Sequence, residues 1–316
     1  MQLDFFDIDT TPTVMEVTKI SWSPSKIGTL KQCPRKFYYQ YYGSKQSKAK
    51  FDENKERLRY LVALSNKSLV AGEIIHSVIA TYFRKAKKGD PWTADRLTSF
   101  AISMLRASIQ YSKDERAGIH NIHQYPPALL KEVFYGTMND QEVFDEIAER
   151  LKISLGNFSD SELFTHLRQN GKREDSIIEG KCVYTLPDNI KIDGVIDIAF
   201  DYGDKFWIAD WKTGKADQEE TSLQLLSYAL WATKQKGISK EAVVIEKAYL
   251  LDNKLETLEY SDEQLVRAKV RIIQDVDILR ELHDFGIDGN FGAFTKCQQQ
   301  RVCDLCPFQE VCEKSK

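Results

Sequence analysis

The hydrophobic positions change period part-way along the chain. Through the first half, apolar residues recur at the three-to-four spacing of helices, over Lys26 to Gly43, Leu58 to Arg84, Thr93 to Tyr111, Ala128 to Phe134 and Asp140 to Leu155. Ser23-Pro-Ser25 supplies a start for the first of these, since a serine oxygen accepts from an early backbone N–H and proline suits the first turn. Gly43 to Lys50, with Lys45, Lys48 and Lys50, reads as an exposed basic loop, and the polar run Gln169-Asn-Gly-Lys-Arg-Glu-Asp175 closes the helical half. The period then falls to two. Ile177 to Leu186, Ile190 to Phe200, Lys205 to Trp211 and Ala242 to Leu251 predict strands, the first three joined as a meander through Pro187-Asp-Asn189 and Asp201-Tyr-Gly-Asp204. Helices are predicted over Asp217 to Lys236 and Ser261 to Asp284, and the tail beyond Gly286 has little period.

This pattern predicts an α/β fold: a mixed central sheet flanked by helices, a mainly helical N-terminal half and a cysteine-rich C-terminal tail. The expected parts are an arm over 1–16, a helical region over 17–175 carrying Cys33 and His76, a sheet-bearing core over 176–285, and a tail over 286–316. Together they are read as one integrated domain.

With 316 residues, 42% of them hydrophobic, the chain can bury a full core. A formal net charge of -3 argues against a protein that coats nucleic acid generally, so any such contact needs a local groove. The acidic start has no basic region followed by an apolar core, and no apolar run approaches the roughly 20 residues that span a bilayer. The expected compartment is the cytoplasm. Six cysteines, four of them between positions 297 and 312, are too few and too uneven for a disulfide-stapled fold.

Asp210 and Lys212 are two apart on a predicted strand and leave the same face, with Trp211 on the other. Asp197 lies on the neighbouring antiparallel strand and meets them if the turn at 201–204 sets the register. Adjacent carboxylates repel and raise one another's pKa unless a divalent cation lies between them, and hard oxygen donors suit Mg²⁺ or Mn²⁺. Such a cation polarises a phosphodiester oxygen and acidifies water, while an ammonium beside it stabilises developing charge. Taken alone, an Asp-x-Lys triplet is common at strand ends.

The ordered set is more specific. Gly194-Val-Ile-Asp197, twelve intervening residues and Asp210-Trp-Lys212-Thr-Gly214 resemble the motif of the PD-(D/E)XK nuclease superfamily, in its RecB-like branch. Gly72-Glu-Ile-Ile-His76 resembles that branch's Gly-x-x-x-His helix, Gln224-Leu-Leu-Ser-Tyr228 its Gln-x-x-x-Tyr helix, and Glu179 its upstream acidic position. The resemblance runs from Ile20 to Cys312 and is strongest over 177–228. It implies a restriction-endonuclease-like fold and a metal-dependent DNA nuclease. Asp197 and Asp210 would be metal ligands with His76 and the Trp211 carbonyl, and Lys212 the catalytic lysine. Gln224 and Tyr228 would face the active site and the DNA backbone. Glu179 competes with His76 to complete the metal site.

Cys303-Asp-Leu-Cys306-Pro-Phe-Gln-Glu-Val-Cys312 has the spacing C-x2-C-x5-C, in which thiolates two residues apart chelate one soft centre. That spacing does not separate zinc from iron–sulfur and, on the residues alone, favours zinc. The resemblance implies a [4Fe-4S] cluster completed by Cys33, as in AddB-type helicase-nuclease subunits and CRISPR-adaptation nucleases, with Zn²⁺ the alternative and Cys297 a competing fourth ligand. Cys182, on a strand, reads as a buried small hydrophobe. Around Cys33, the basic residues Arg35 and Lys36 and five aromatics have the composition of a surface that tracks phosphate and stacks bases. Phe37 with Tyr41 and Tyr38 with Tyr42 also share helical faces, which predicts at least one core pair.

The leading expectation is a DNA exonuclease acting at ends or on single strands. A non-cleaving scaffold subunit of a helicase-nuclease assembly is disfavoured by the intact Asp197, Asp210 and Lys212, and a zinc-stabilised endonuclease by the lack of an evident recognition module. No phosphate loop accompanies Lys212, so any helicase motor must be a partner.

Overall fold

The computed structural model describes residues 20–45, 53–119, 126–214 and 218–314; the expected arm, Lys48 and Lys50 lie outside them. Strand β1 (Ser21–Trp22) leads into α1 (Pro24–Gln32), whose cap is Ser23 accepting from the Lys26 N–H. The single helix expected to Gly43 is broken. Pro34 disfavours a helical residue before it, and Cys33 is extended with φ −162°. The chain restarts as α2 (Pro34–Tyr38) and ends in a π-turn over Tyr39–Gly43.

The run expected from Leu58 to Arg84 is also two helices, α3 (Glu53–Ala63) and α4 (Lys67–Ala86), split by β2 (Leu64–Ser65). Asn66 restarts the helix by accepting from the Ser68 and Leu69 N–H groups. Next come α5 (Ala94–Arg116), β3 (Leu129–Leu130) paired with β2, and α6 (Lys131–Phe134). Leu129 and Leu130 therefore form a bridge where a helix was expected. Helices α7 (Asp140–Asp160) and α8 (Thr165–Gly171) complete this half.

The sheet is built on β4 (Ile177–Leu186), β5 (Ile190–Tyr202) and β6 (Lys205–Lys212) as antiparallel neighbours. Tyr202 pairs with Lys205 across a tight turn whose Gly203 has φ +65°. Helix α9 (Gln218–Gln235) then crosses to β7 (Val243–Tyr249), parallel to β6, and β8 (Lys254–Thr257) adds an antiparallel edge. Residues of β1 pair in parallel with the start of β5. The chain ends with α10 (Asp262–Ile287), begun by a Ser261–Gln264 capping box, then α11 (Gln300–Leu305) and α12 (Gln309–Lys314).

Two cores flank the sheet. On one face α4, α5 and α7 pack on Ile198, Phe200, Ala209 and Trp211, with Phe83 and Phe158 at 6.4 and 5.6 Å from the Trp211 ring. On the other, α9 and α10 join residues from both chain ends, among them Trp22, Phe37, Phe294 and Phe308. The first core crosses the border expected after 175, and the second crosses those expected after 175 and after 285. No described helix is long and apolar enough to cross a membrane.

Candidate active site

The register of β5 on β6 pairs Ile198 with Ala209 and so brings Asp197 opposite Asp210. Asp210 and Lys212 leave the α9 side of β6, while Trp211 turns into the α4–α7 core. Asp197 Oδ2 accepts the Trp211 backbone N–H at 2.7 Å, and Asp197 Oδ1 lies 3.0 Å from His76 Nδ1 on α4. Trp211 thus meets Asp197 through its N–H. Ligand atoms of His76, Glu179 and Asp197 lie within 4.8 Å of one another, so both candidates for completing the site are present. Glu179 reaches them through a left-handed backbone, φ +49°, a strained state for a non-glycine residue in a strand.

Lys212 Nζ lies 2.6 Å from Asp210 Oδ2 and donates to Gln224 Oε1 at 3.1 Å. Gln224 Nε2 donates to the Tyr228 hydroxyl at 2.8 Å, which donates to the Val195 carbonyl at 2.6 Å. A single chain of contacts therefore runs from Asp210 to the backbone two residues before Asp197. The motif glycines make room for it. A β-carbon on Gly194 would stand 3.2 Å from the Tyr228 ring, and one on Gly72 2.9 Å from the Thr213 hydroxyl. Arg150 on α7 hydrogen-bonds the Thr213 carbonyl, tying the end of the reactive strand to the helical half.

Asp197 and Asp210 are 8% and 3% exposed. Burial, then Asp197, push the Asp210 carboxyl up to about 6 against the opposing pull of Lys212 and His76. Burial and Asp197 also raise Glu179. For His76, burial favours the neutral ring, but the Asp197, Asp210 and Glu179 carboxylates outweigh it and hold the imidazole up at about 9. One buried carboxylate oxygen, Glu179 Oε1, has no hydrogen-bond partner, and Asp210 Oδ2 is met by the Lys212 ammonium alone, at 2.6 Å. Clustered hard donors with unpaired lone pairs fit a divalent cation.

The raised imidazole gives a stability signature in chelator. Its contribution is full below the ordinary value of 6.5 and is lost as pH rises through about 9. Between pH 7 and 9.5, urea unfolding is expected to weaken by on the order of 2 kcal/mol more in wild type than in His76→Gln. Equal losses in the two proteins would mean that the carboxylates do not hold this proton.

At the ends of the chain, Cys33, Cys297, Cys303, Cys306 and Cys312 line one cavity of about 210 Å³. Cys33 Sγ accepts the Lys36 N–H at 3.4 Å, and Cys297 Sγ accepts the Gln299 N–H at 3.2 Å. Burial raises the Cys306 thiol, with Lys36 opposing, and burial followed by the neighbouring thiols raises Cys303. Cys182 lies apart, fully buried, its thiol pushed up to about 12 by that burial.

Of the two readings of the run after Cys33, core packing describes its first three aromatics. Phe37, Tyr38 and Tyr39 are at most 7% exposed and pack with Phe294 and Phe308, because their helical spacing turns them inward. Arg35 is likewise buried, and Arg35 and Lys36 line the cysteine cavity. Lys45 lies over the Tyr41 ring. Sequence reading passed over Glu73 and Arg84, which line an open hollow of about 580 Å³ beside His76 and Glu179. Charge at helical spacing on an otherwise apolar helix was the available signal. On the Gln224–Tyr228 side, a second hollow of about 500 Å³ is lined by Lys181, Lys191 and Val195.

Among curated proteins no match to the chain is found. The sequence model of the PD-(D/E)XK nuclease superfamily matches residues 21–313, from β1 through the cysteine tail, and the chain accordingly belongs to that superfamily of metal-dependent nucleases.

Proposed function

We propose that the chain is a RecB-like DNA nuclease that hydrolyses phosphodiester bonds at DNA ends or in single strands. The observation that carries the chemistry is the convergence of His76, Glu179 and Asp197 within 4.8 Å, with a buried Glu179 oxygen that has no hydrogen-bond partner. His76, Asp197 and Asp210 would hold Mg²⁺ or Mn²⁺, with Glu179 completing the set. The bound cation supplies Lewis acidity and neutralises charge on the phosphoryl group. Lys212, pinned between Asp210 and Gln224, keeps its ammonium directed at the attacking water and the developing charge. Gln224 fixes Lys212, and Tyr228 fixes Gln224, so this arm acts by positioning.

The carboxylates are recessed between α4 and the β4–β5 face, with hollows to either side. A flexible single strand or a frayed end can lay a phosphate there. A closed duplex is stiffer and bends into such a recess less readily, which supports end- or single-strand dependence. The cysteine cavity is read as a [4Fe-4S] site with Cys33, Cys303, Cys306 and Cys312 as ligands.

The test uses the full chain with Mg²⁺ or Mn²⁺ on linear single strands, linear duplexes and covalently closed circles. Linear single strands are expected to be degraded, closed circles spared, and chelator to stop the reaction. Absence of cleavage with either metal would overturn the nuclease reading. Digestion of circles as fast as linear DNA would overturn only the dependence on ends or single strands.

A further inference from the structure

Arg35 is 7% exposed, yet its guanidinium is only partly satisfied. Its Nε donates to the Phe294 carbonyl at 2.8 Å, and the group lies 4.8 Å from the centre of the Phe291 ring. One terminal nitrogen, Nη1, is buried with no hydrogen-bond partner. A guanidinium does not shed its proton, so burial with an unused donor is costly unless an acceptor completes it. The residue lines the five-thiol cavity together with Lys36 and Lys296, and among the described residues no carboxylate lines it. Three cations around thiols, one with an orphan donor, describe a place for a sulfur-rich anion.

We propose that Arg35 is a positioning residue for the iron–sulfur cluster, its Nη1 donating to a thiolate or sulfide sulfur while Lys36 and Lys296 balance the remaining charge. This rests on the cluster reading above. Four thiolates leave an iron–sulfur cluster net negative, and each added electron makes it more so. Hydrogen bonds and charge next to the sulfurs are among the protein's means of setting cluster potential. A fixed cation therefore favours the reduced form and protects against over-oxidation, the usual route to cluster loss. Anchoring to the Phe294 carbonyl also couples the site to the tail, since the Arg35 N–H donates to the Thr295 carbonyl at 3.0 Å.

The test compares anaerobically purified full-length wild type, Arg35→Gln and Arg35→Lys. The readouts are iron and sulfide content, the midpoint potential followed by visible absorption, and the rate of bleaching in air. Arg35→Gln is expected to lower the potential and bleach about tenfold faster, the effect of one lost charge-assisted hydrogen bond. Arg35→Lys, keeping charge without the second donor, is expected to fall between. Wild-type potential and bleaching in a folded Arg35→Gln would overturn the proposal; if that variant does not fold, Arg35→Lys decides on the same readouts. A colourless, zinc-bearing wild type would overturn the cluster reading and this role with it. A brown wild type with unaffected variants would overturn the role alone.

Discussion

Lys212→Ala is expected to lose DNA hydrolysis by about 10²–10³-fold while binding DNA in Ca²⁺ within a few-fold of wild type. The lysine is held before substrate arrives: Nζ is 2.6 Å from Asp210 Oδ2 and 3.1 Å from Gln224 Oε1, and the side chain is only 16% exposed. Preorganised charge in a recessed site acts more strongly than the same charge in water, so its loss falls on the transition state. The fold should tolerate the change. With its carboxyl already pushed up to about 6 by burial and Asp197, Asp210 can take up a proton when its cation is removed. Single-turnover cleavage with saturating Mn²⁺, alongside binding measured in Ca²⁺, separates the two effects. Cleavage within a few-fold of wild type would remove Lys212 from the chemistry.

The parts of this site readable in the sequence are those governed by strand parity. Asp210 and Lys212 share a face because they are two apart, and the turn ending at Asp204 sets Asp197 opposite Asp210. The second half of strand β4 was legible because its burial alternates from Lys181 to Leu186. The convergence of His76 and Glu179 was not legible from the residues themselves. It needs α4 to dock on the sheet, which depends on a bare Gly72 beside Thr213, and it needs Glu179 in a left-handed state that no strand pattern specifies.

The misread stretches have local causes of another kind. Pro34 and Asn66 each carried a break signal that the apolar period masked, so two pairs of helices were read as single ones. Strands β1 and β8, of 2 and 4 residues, are too short to show alternation, and β1 depends on a partner distant in sequence. The aromatic and basic run after Cys33 suggested a stacking surface by composition. Its helical spacing carried the better information, since Phe37, Tyr38 and Tyr39 form core with the tail.

Cys306→Ser is expected to yield colourless protein with a melting temperature lower by on the order of 10 °C. The tail is also held by contacts that involve no thiol: Phe294 packs on Phe37 and Tyr38, Phe308 on Tyr39, and Arg57 hydrogen-bonds Glu310 in bidentate fashion. The variant should therefore fold. A covalent tie between Cys33 and residues 303–312 closes nearly the whole chain into one loop, and a cross-link of that kind contributes roughly 3–5 kcal/mol by restricting the unfolded state. At a few degrees per kcal/mol for a domain of this size, its loss gives the stated shift. Cys297→Ser decides the fourth ligand. It leaves iron content and melting unchanged if Cys33 holds that position, and reproduces the Cys306→Ser loss if Cys297 does. Below its lowered melting temperature Cys306→Ser should retain metal-dependent cleavage, because the thiol cavity contributes no residue to the His76, Asp197, Asp210 and Lys212 centre. A Cys306→Ser protein that is brown, with a full iron complement and wild-type melting, would remove the clip.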